Sequence, residues 1–383
     1  MYQLRNADLV LPDRVVTGGI LRTERSEISG IDEPVQQGMQ DVDLTDHWVV
    51  PGFVDLHVHG GGGHSYTTGD QDEARKVVEF HRRHGTTSSF ASTVTADLDE
   101  LARIVGSLAE LVQDGLVAGI HLEGPFISED RCGAHDPALL RAPDAASIDA
   151  LLAAGRDTVR MVTIAAELPG GIDAVRRLTG QGVIAALGHT NATYDQAIAA
   201  IEAGVTVGTH LFNGMRPINH REGGPVTALL ERDTVTVELI NDGHHLSAET
   251  VELVLRTVGP ERIALITDAM SAAGAGDGMY RLGPLDVQVR DGVAIIPETG
   301  SLAGSTLTMD AAFRRSVQVN GLSMVHAALA AATTPARVLG AGDRTGALSV
   351  GRLADLVVLD RDLHVVAVMV QGAWVPGTAR SFG

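Results

Sequence analysis

Cysteine is almost missing from this chain of 383 residues: Cys132 is the only one, so no intramolecular disulfide can form. A reducing compartment is the default for such a sequence. Lysine is as scarce. Lys76 is the only one among 29 basic residues, and any chemistry that needs a lysine has that single candidate. No apolar run reaches the roughly 20 residues that span a bilayer. Met1–Arg5 leads into polar residues, without the basic-then-apolar pattern of a secretory leader. These absences predict a cytoplasmic chain with no membrane partner. Positive charge is also short. A formal net charge of −19 excludes nucleic acid as a partner and requires that any anionic substrate meet a locally basic pocket.

What is present is enough to build a large core. Hydrophobic residues make up 44% and charged residues 20%, so the chain is not a disordered one. Its length fits a large barrel with an accessory domain. Tyr2–Leu11 and Val15–Arg22 read as strands broken at Pro12-Asp13 and Gly18-Gly19. Leu356–Leu359 and Val365–Val370 have the same character. Neither end can bury a core alone, which predicts one small β-sandwich domain formed by 1–51 with 345–383.

Between the ends, apolar β-branched runs alternate with helical patterns. The expected strands are Val49–His57, Thr86–Ser92, Val117–Leu122, Val159–Ala165, Val183–Leu187, Val205–Leu211, Val235–Ile240 and Ile263–Thr267. Expected helices include Asp70–His84, which carries Lys76, and Thr193–Ala203. Eight such strands imply an α/β fold, a closed (β/α)8 barrel over 52–344, with an open doubly wound sheet as the alternative. Arg281–Pro297 reads as an inserted hairpin turning at Asp291-Gly292.

Chemistry-bearing residues sit where these strands end. Residues two apart in a strand point the same way, so His57 and His59 of Asp55-Leu56-His57-Val58-His59-Gly60 project together. Alone, such a pair is either two metal ligands or two core histidines. The third strand runs His121-Leu122-Glu123-Gly124-Pro125. The fifth ends at His189, the sixth at His210 and the eighth at Asp268. Barrel strand ends converge on one face, and five of them carrying metal-type ligands make a metal site the expectation.

The set resembles the amidohydrolase superfamily: H-x-H after the first strand, His after the fifth and sixth, Asp after the eighth. Gly346–Asp360 resembles that superfamily's return into a split β-domain. Many members bridge two metals with a carboxylated lysine. Lys76 lies on a helix, so Glu123 is the bridging candidate here. Within the superfamily, His121-Leu122-Glu123-Gly124-Pro125-Phe126, Gly133-Ala134-His135, Leu187-Gly188-His189-Thr190, His210-Leu211-Phe212-Asn213-Gly214-Met215, Asn241-Asp242-Gly243-His244-His245, Thr267-Asp268-Ala269-Met270 and Leu302-Ala303-Gly304-Ser305 are similar to the N-acetylglucosamine-6-phosphate deacetylases. That likeness spans essentially the whole chain. Some members of the family have glutamine at the position of His59 and hold one metal.

The resemblance implies deacetylation of a small phosphorylated amino sugar by two divalent ions per subunit, zinc foremost, with iron, manganese or cobalt compatible. It implies that His57 and His59 hold one ion with Asp268 near it, that His189 and His210 hold the other, and that Glu123 bridges. Asp268 would be the acid and base of catalysis, with His135 assisting at the substrate carbonyl. Ala134, His135, Asn213, Gly214, His245, Leu302, Ala303 and Gly304 would line the sugar site. Arg221 would reach the phosphate from a neighbouring subunit, which makes a homodimer the expected assembly. Cys132 is expected as a free thiol on the loop of His135. The alternatives are another amidohydrolase acting on a cyclic amide or N-acyl substrate, and a non-catalytic scaffold that keeps the barrel.

Overall fold

The computed structural model describes residues 1–378. Both chain ends feed one eight-stranded sheet. Its order is Ala373–Trp374, Val365–Val370, Leu356–Leu359, Trp48–Pro51, Tyr2–Val10, Val15–Glu24 and Glu27–Ile31, with Gln40–Asp43 also paired to Tyr2–Val10. Leu9 pairs with Val49, and Val49 with Val358, so the C-terminal strands join the N-terminal ones through Trp48–Pro51. Leu4, Leu9, Leu21, Ile28, Leu356 and Met369 share one buried cluster on this sheet. Removing that apolar area from water, at about 25 cal/mol per Å², is what holds the two ends together.

Eight further strands form a second sheet in chain order: Phe53–Asp55, Thr86–Thr93, Gly119–Glu123, Val159–Ile164, Ile184–Leu187, Val207–Gly208, Thr236–Ile240 and Ile263–Ile266. From the second to the eighth, neighbours pair in parallel. Their near-continuous burial explains why they read as apolar runs rather than alternating ones. The ring closes just past the last strand. The Asp268 N–H donates to the His57 carbonyl at 2.8 Å, and the His59 N–H donates to the Ala269 carbonyl at 2.8 Å. This closure excludes the open doubly wound sheet.

Two expected strands differ. Val49–His57 splits at Gly52 into Trp48–Pro51 in the terminal sheet and Phe53–Asp55 in the barrel. A Cβ at Gly52 would sit 2.3 Å from Oγ1 of Thr87, so only glycine fits this passage. Val205–Leu211 shortens to Val207–Gly208, because His210 adopts φ +27, outside the strand region. The insertion after the eighth strand has three strands: Gly278–Leu282, Leu285–Arg290 and Val293–Ile295. Asp291 and Gly292, at φ +52 and +75, form the second of its turns. Its buried face, with Leu282, Val287 and Ala294, packs with Val94, Met270 and Ala303.

The helix Tyr194–Ala203 begins with a capping box. The Thr193 hydroxyl accepts from the Gln196 N–H, and the Gln196 side chain accepts from the Thr193 N–H. Lys76 is exposed on the helix Gln71–Arg83. The chain divides into two compact units. One comprises Met1–Asp55, Glu79–Ser88 and the chain from Thr308; the other comprises Leu56–Val78 and Ser89–Leu307 and contains all of the site described next. Among the described residues, no helix is long and apolar enough to cross a membrane.

Candidate metal centre and substrate pocket

Six side chains from five strand ends meet. His57 and His59 follow the first strand, Glu123 ends the third, His189 and His210 follow the fifth and sixth, and Asp268 follows the eighth. All six are buried. His189, His210 and Asp268 hold φ +44, +27 and +49. A non-glycine residue in the left-handed region costs on the order of 1 kcal/mol or more, so it persists only where surroundings impose it. Here three strand ends take that turn and present their side chains to one point.

Glu123 is at the centre. Its Oε1 lies 2.8 Å from Nε2 of His210, 3.1 Å from Nε2 of His189 and 3.4 Å from Nε2 of His57. Its Oε2 lies 3.2 Å from Nε2 of His59 and 3.5 Å from Nε2 of His135. Oδ1 of Asp268 is 3.1 Å from Nε2 of His59 and 3.5 Å from Nε2 of His57. The carboxylate of Glu123 therefore stands between a His57–His59 pair and a His189–His210 pair.

Electrostatics follow from this crowding. Burial opposes charge on Glu123, yet the His57 charge and hydrogen bonds from His135, His189 and His210 hold its carboxyl well below the usual range. Burial likewise opposes ionisation of Asp268, but His57 and His59 outweigh it and bring the carboxyl down to about 2. His57 responds in the opposite sense. Burial disfavours its cation, while Glu123 and Asp268 raise it well above an ordinary imidazole. Two buried carboxylates thus demand cationic charge at this point, from an imidazolium or from a metal ion.

Fixed hydrogen-bond partners separate the histidines by role. Nδ1 of His189 lies 2.8 Å from the Arg131 carbonyl, which can only accept. His189 therefore donates from Nδ1, and Nε2 is the nitrogen it turns inward toward Glu123, the face a metal ion would use. His135 is reversed. The Thr95 N–H donates to its Nδ1 at 3.3 Å, and the Thr95 hydroxyl lies 2.8 Å from the same nitrogen. Burial brings His135 down to about 4, so the ring is neutral at pH 7 and bears its proton on Nε2. His135 faces the pocket as a donor. His121, two residues before Glu123, points elsewhere: it bonds Oγ of Ser92 at 3.0 Å and Oγ1 of Thr163 at 2.8 Å.

The donor set suits a divalent metal. Ligating atoms of His57, His59 and Asp268 lie within 4.8 Å of one another, as do those of His57, Glu123 and His210, and of Glu123, His135 and His189. The proton on Nε2 of His135 argues against coordination by that residue. All these donors are imidazole nitrogens and carboxylate oxygens, with no thiolate, a set compatible with several first-row metals.

A cavity of about 290 Å³ opens over these residues. Its walls include Ala134, His135, Asn213, Gly214, His245, Leu302 and Gly304, all expected from the sequence, with Gly133, Leu282 and Ser301 added. A larger cavity of about 610 Å³ is lined by Thr67, Ile104, Leu139 and Pro284 among others and contains none of the clustered histidines. Volume alone therefore does not mark the site. Two expected residues lie off the wall. Ala303 is buried in the cluster with Val94 and Met270, and Arg221 is exposed on the loop after the sixth strand, its backbone N–H bonded to the Asn219 side chain. Among the described residues, no lysine or arginine lines the cavity. Away from the metal-facing cluster, a cationic wall group is His245. Burial works against that charge, but the Asp242 carboxylate, 2.7 Å from Nδ1, raises it above an ordinary imidazole. Cys132 is half-buried on the same loop as His135, and burial pushes its thiol up, which makes a nucleophilic role poorer.

Besides those wall residues, sequence reasoning missed Thr95 and Glu238. Glu238 had a signal: it is the one acid inside the apolar run Val235–Ile240. Thr95 had none.

Residues 48–375 match the amidohydrolase family. The N-acetylgalactosamine-6-phosphate deacetylase of Escherichia coli is 39% identical over 343 residues, covering 88% of this chain and 89% of that protein. Human N-acetylglucosamine-6-phosphate deacetylase is 36% identical, covering 87% and 85%. Among solved structures, a mutant N-acetyl-D-glucosamine-6-phosphate deacetylase of Mycobacterium smegmatis, in complex with N-acetyl-D-glucosamine-6-phosphate, is 48% identical. It superposes with a TM-score of 0.95 over 98% of this chain and 99% of that one.

Proposed function

This chain belongs to the amidohydrolase family, and from that premise we propose that it hydrolyses the acetamide of N-acetyl-D-glucosamine 6-phosphate to D-glucosamine 6-phosphate and acetate. The observation that carries the reading is the Glu123 carboxylate set between two histidine pairs, with Asp268 beside it on the floor of a sugar-sized cavity. We assign His57 and His59 to one divalent ion with Asp268 near it, His189 and His210 to a second, and Glu123 to both. Zinc is the first choice, with iron, manganese or cobalt compatible.

Held there, such ions would acidify a water for attack at neutral pH and polarise the acetamide carbonyl. The protein's own groups do the rest. Asp268, ionised at neutral pH, takes the proton of the attacking water and delivers it to the leaving amine nitrogen. The Nε2–H of His135 donates to the carbonyl oxygen as negative charge develops on it. Asn213 and His245 engage the sugar phosphate end of the cavity. With no arginine on the wall among the described residues and a chain of −19, the remaining phosphate charge is assigned to Arg221 of a second copy, in a homodimer. The small, soluble class of substrate and the single cysteine support a cytoplasmic enzyme.

The 39% identity to a galactosamine-type deacetylase favours one second reading, in which the C4 epimer is also a substrate. Acetate release from both N-acetylated sugar phosphates tests the proposal. Release from the glucosamine form, abolished in Asp268→Asn while metal content is kept, is expected. No release from either sugar, or substantial turnover by Asp268→Asn, would contradict it.

A further inference from the structure

We propose that Glu238 is a positioning residue that holds two metal-facing histidines from different strands in their working arrangement. The proposal rests on the metal-dependent reading above.

Glu238 sits in the middle of the seventh barrel strand, Thr236–Ile240, between Val237 and Leu239, and is fully buried. A carboxylate among apolar neighbours is costly unless its oxygens are bonded. Its Oε2 lies 3.2 Å from the backbone nitrogen of His210 and 3.4 Å from Nδ1 of His57. A backbone N–H can only donate, so Oε2 is an acceptor, and Nδ1 of His57 is the donor that shares it. Nδ1 of His57 is thereby held as a donor to Glu238. Its Nε2 is the nitrogen turned toward His59, Glu123 and Asp268, where a metal ion would replace the proton.

The same residue grips the turn that carries His210. That histidine holds φ +27, a conformation the chain keeps only if something imposes it. The Glu238 side chain accepts from the His210 N–H, and the Glu238 carbonyl accepts from the Leu211 N–H at 2.9 Å. One residue thus sets the tautomer of a ligand after the first strand and the backbone turn of a ligand after the sixth. Partners of this kind orient metal-binding histidines, and their loss weakens metal binding by about 10- to 100-fold.

The test is a chelator-competition titration with Zn²⁺ alone on the full chain, for wild type, Glu238→Gln and Glu238→Ala. Circular dichroism and the melting temperature of the metal-free proteins run alongside. We expect both variants to fold and to bind Zn²⁺ at least tenfold more weakly than wild type. A folded variant with less than a tenfold loss overturns the role of Glu238, and if Glu238→Ala does not fold, Glu238→Gln decides. Wild type that binds no Zn²⁺ overturns the metal reading itself, which keeps the two failures apart.

Discussion

His245 and Asp242 are three residues apart, and the carboxylate at 2.7 Å from Nδ1 raises the imidazole against the penalty of burial. A group whose folded pKa is raised keeps its cation above the ordinary imidazole value of about 6.5 and loses it as pH climbs through the raised value. Phosphate binding should follow that cation. KM for the phosphorylated sugar is expected to rise on the alkaline side, while KM for unphosphorylated N-acetylglucosamine stays flat. Asp242→Asn should move the rise to lower pH. Parallel profiles for the two sugars would remove His245 from phosphate recognition. The histidines of this site cannot be told apart by type; what bonds the outer nitrogen decides. A carbonyl on Nδ1 turns Nε2 of His189 toward Glu123 as the face a metal would use, and an N–H on Nδ1 makes His135 a donor. Sequence shows the imidazoles but not those partners, which is why Thr95 is invisible in it.

Individual strands were largely legible, because a strand buried on both faces reads as an uninterrupted β-branched run. Partners were not. Nothing in Trp48–Asp55 announces that its halves enter different sheets, since periodicity reports burial and not neighbours. Gly52 is where the chain passes between them, and a methyl group there would strike the Thr87 side chain. Gly52→Ala should therefore destabilise the protein by about 1–3 kcal/mol through overpacking, read as a lower urea midpoint with unchanged slope. A neutral substitution would mean that Thr87 yields and that the passage is not sterically set. The inserted strands were anticipated as a hairpin from Asp291-Gly292. That Leu282 would stand in the cavity wall depends on how the insertion folds back, which no local pattern encodes.

At the scale of the whole molecule, an acidic chain must bind a doubly charged phosphate. Among the described residues the cavity wall offers imidazoles and no arginine, and Arg221 is exposed. If Arg221 acts across a subunit boundary, mixing two inactive variants should restore turnover. In a heterodimer of Arg221→Ala with Asp268→Asn, the site that keeps Asp268 receives an intact Arg221 from its partner. Random reassociation should recover roughly a quarter of wild-type activity, half the dimers carrying one whole site of two. No recovery on mixing, despite exchange of subunits, would place Arg221 in its own chain's site or in none.

The central claim is that His57, His59, Glu123, His189, His210 and Asp268 act by holding divalent ions. Stripping the protein with a chelator and titrating Zn²⁺ back while following acetate release tests it most directly. The account predicts negligible turnover without metal and recovery that saturates near two ions per subunit. Full turnover by the stripped protein, with its metal content verified as nil, would contradict it.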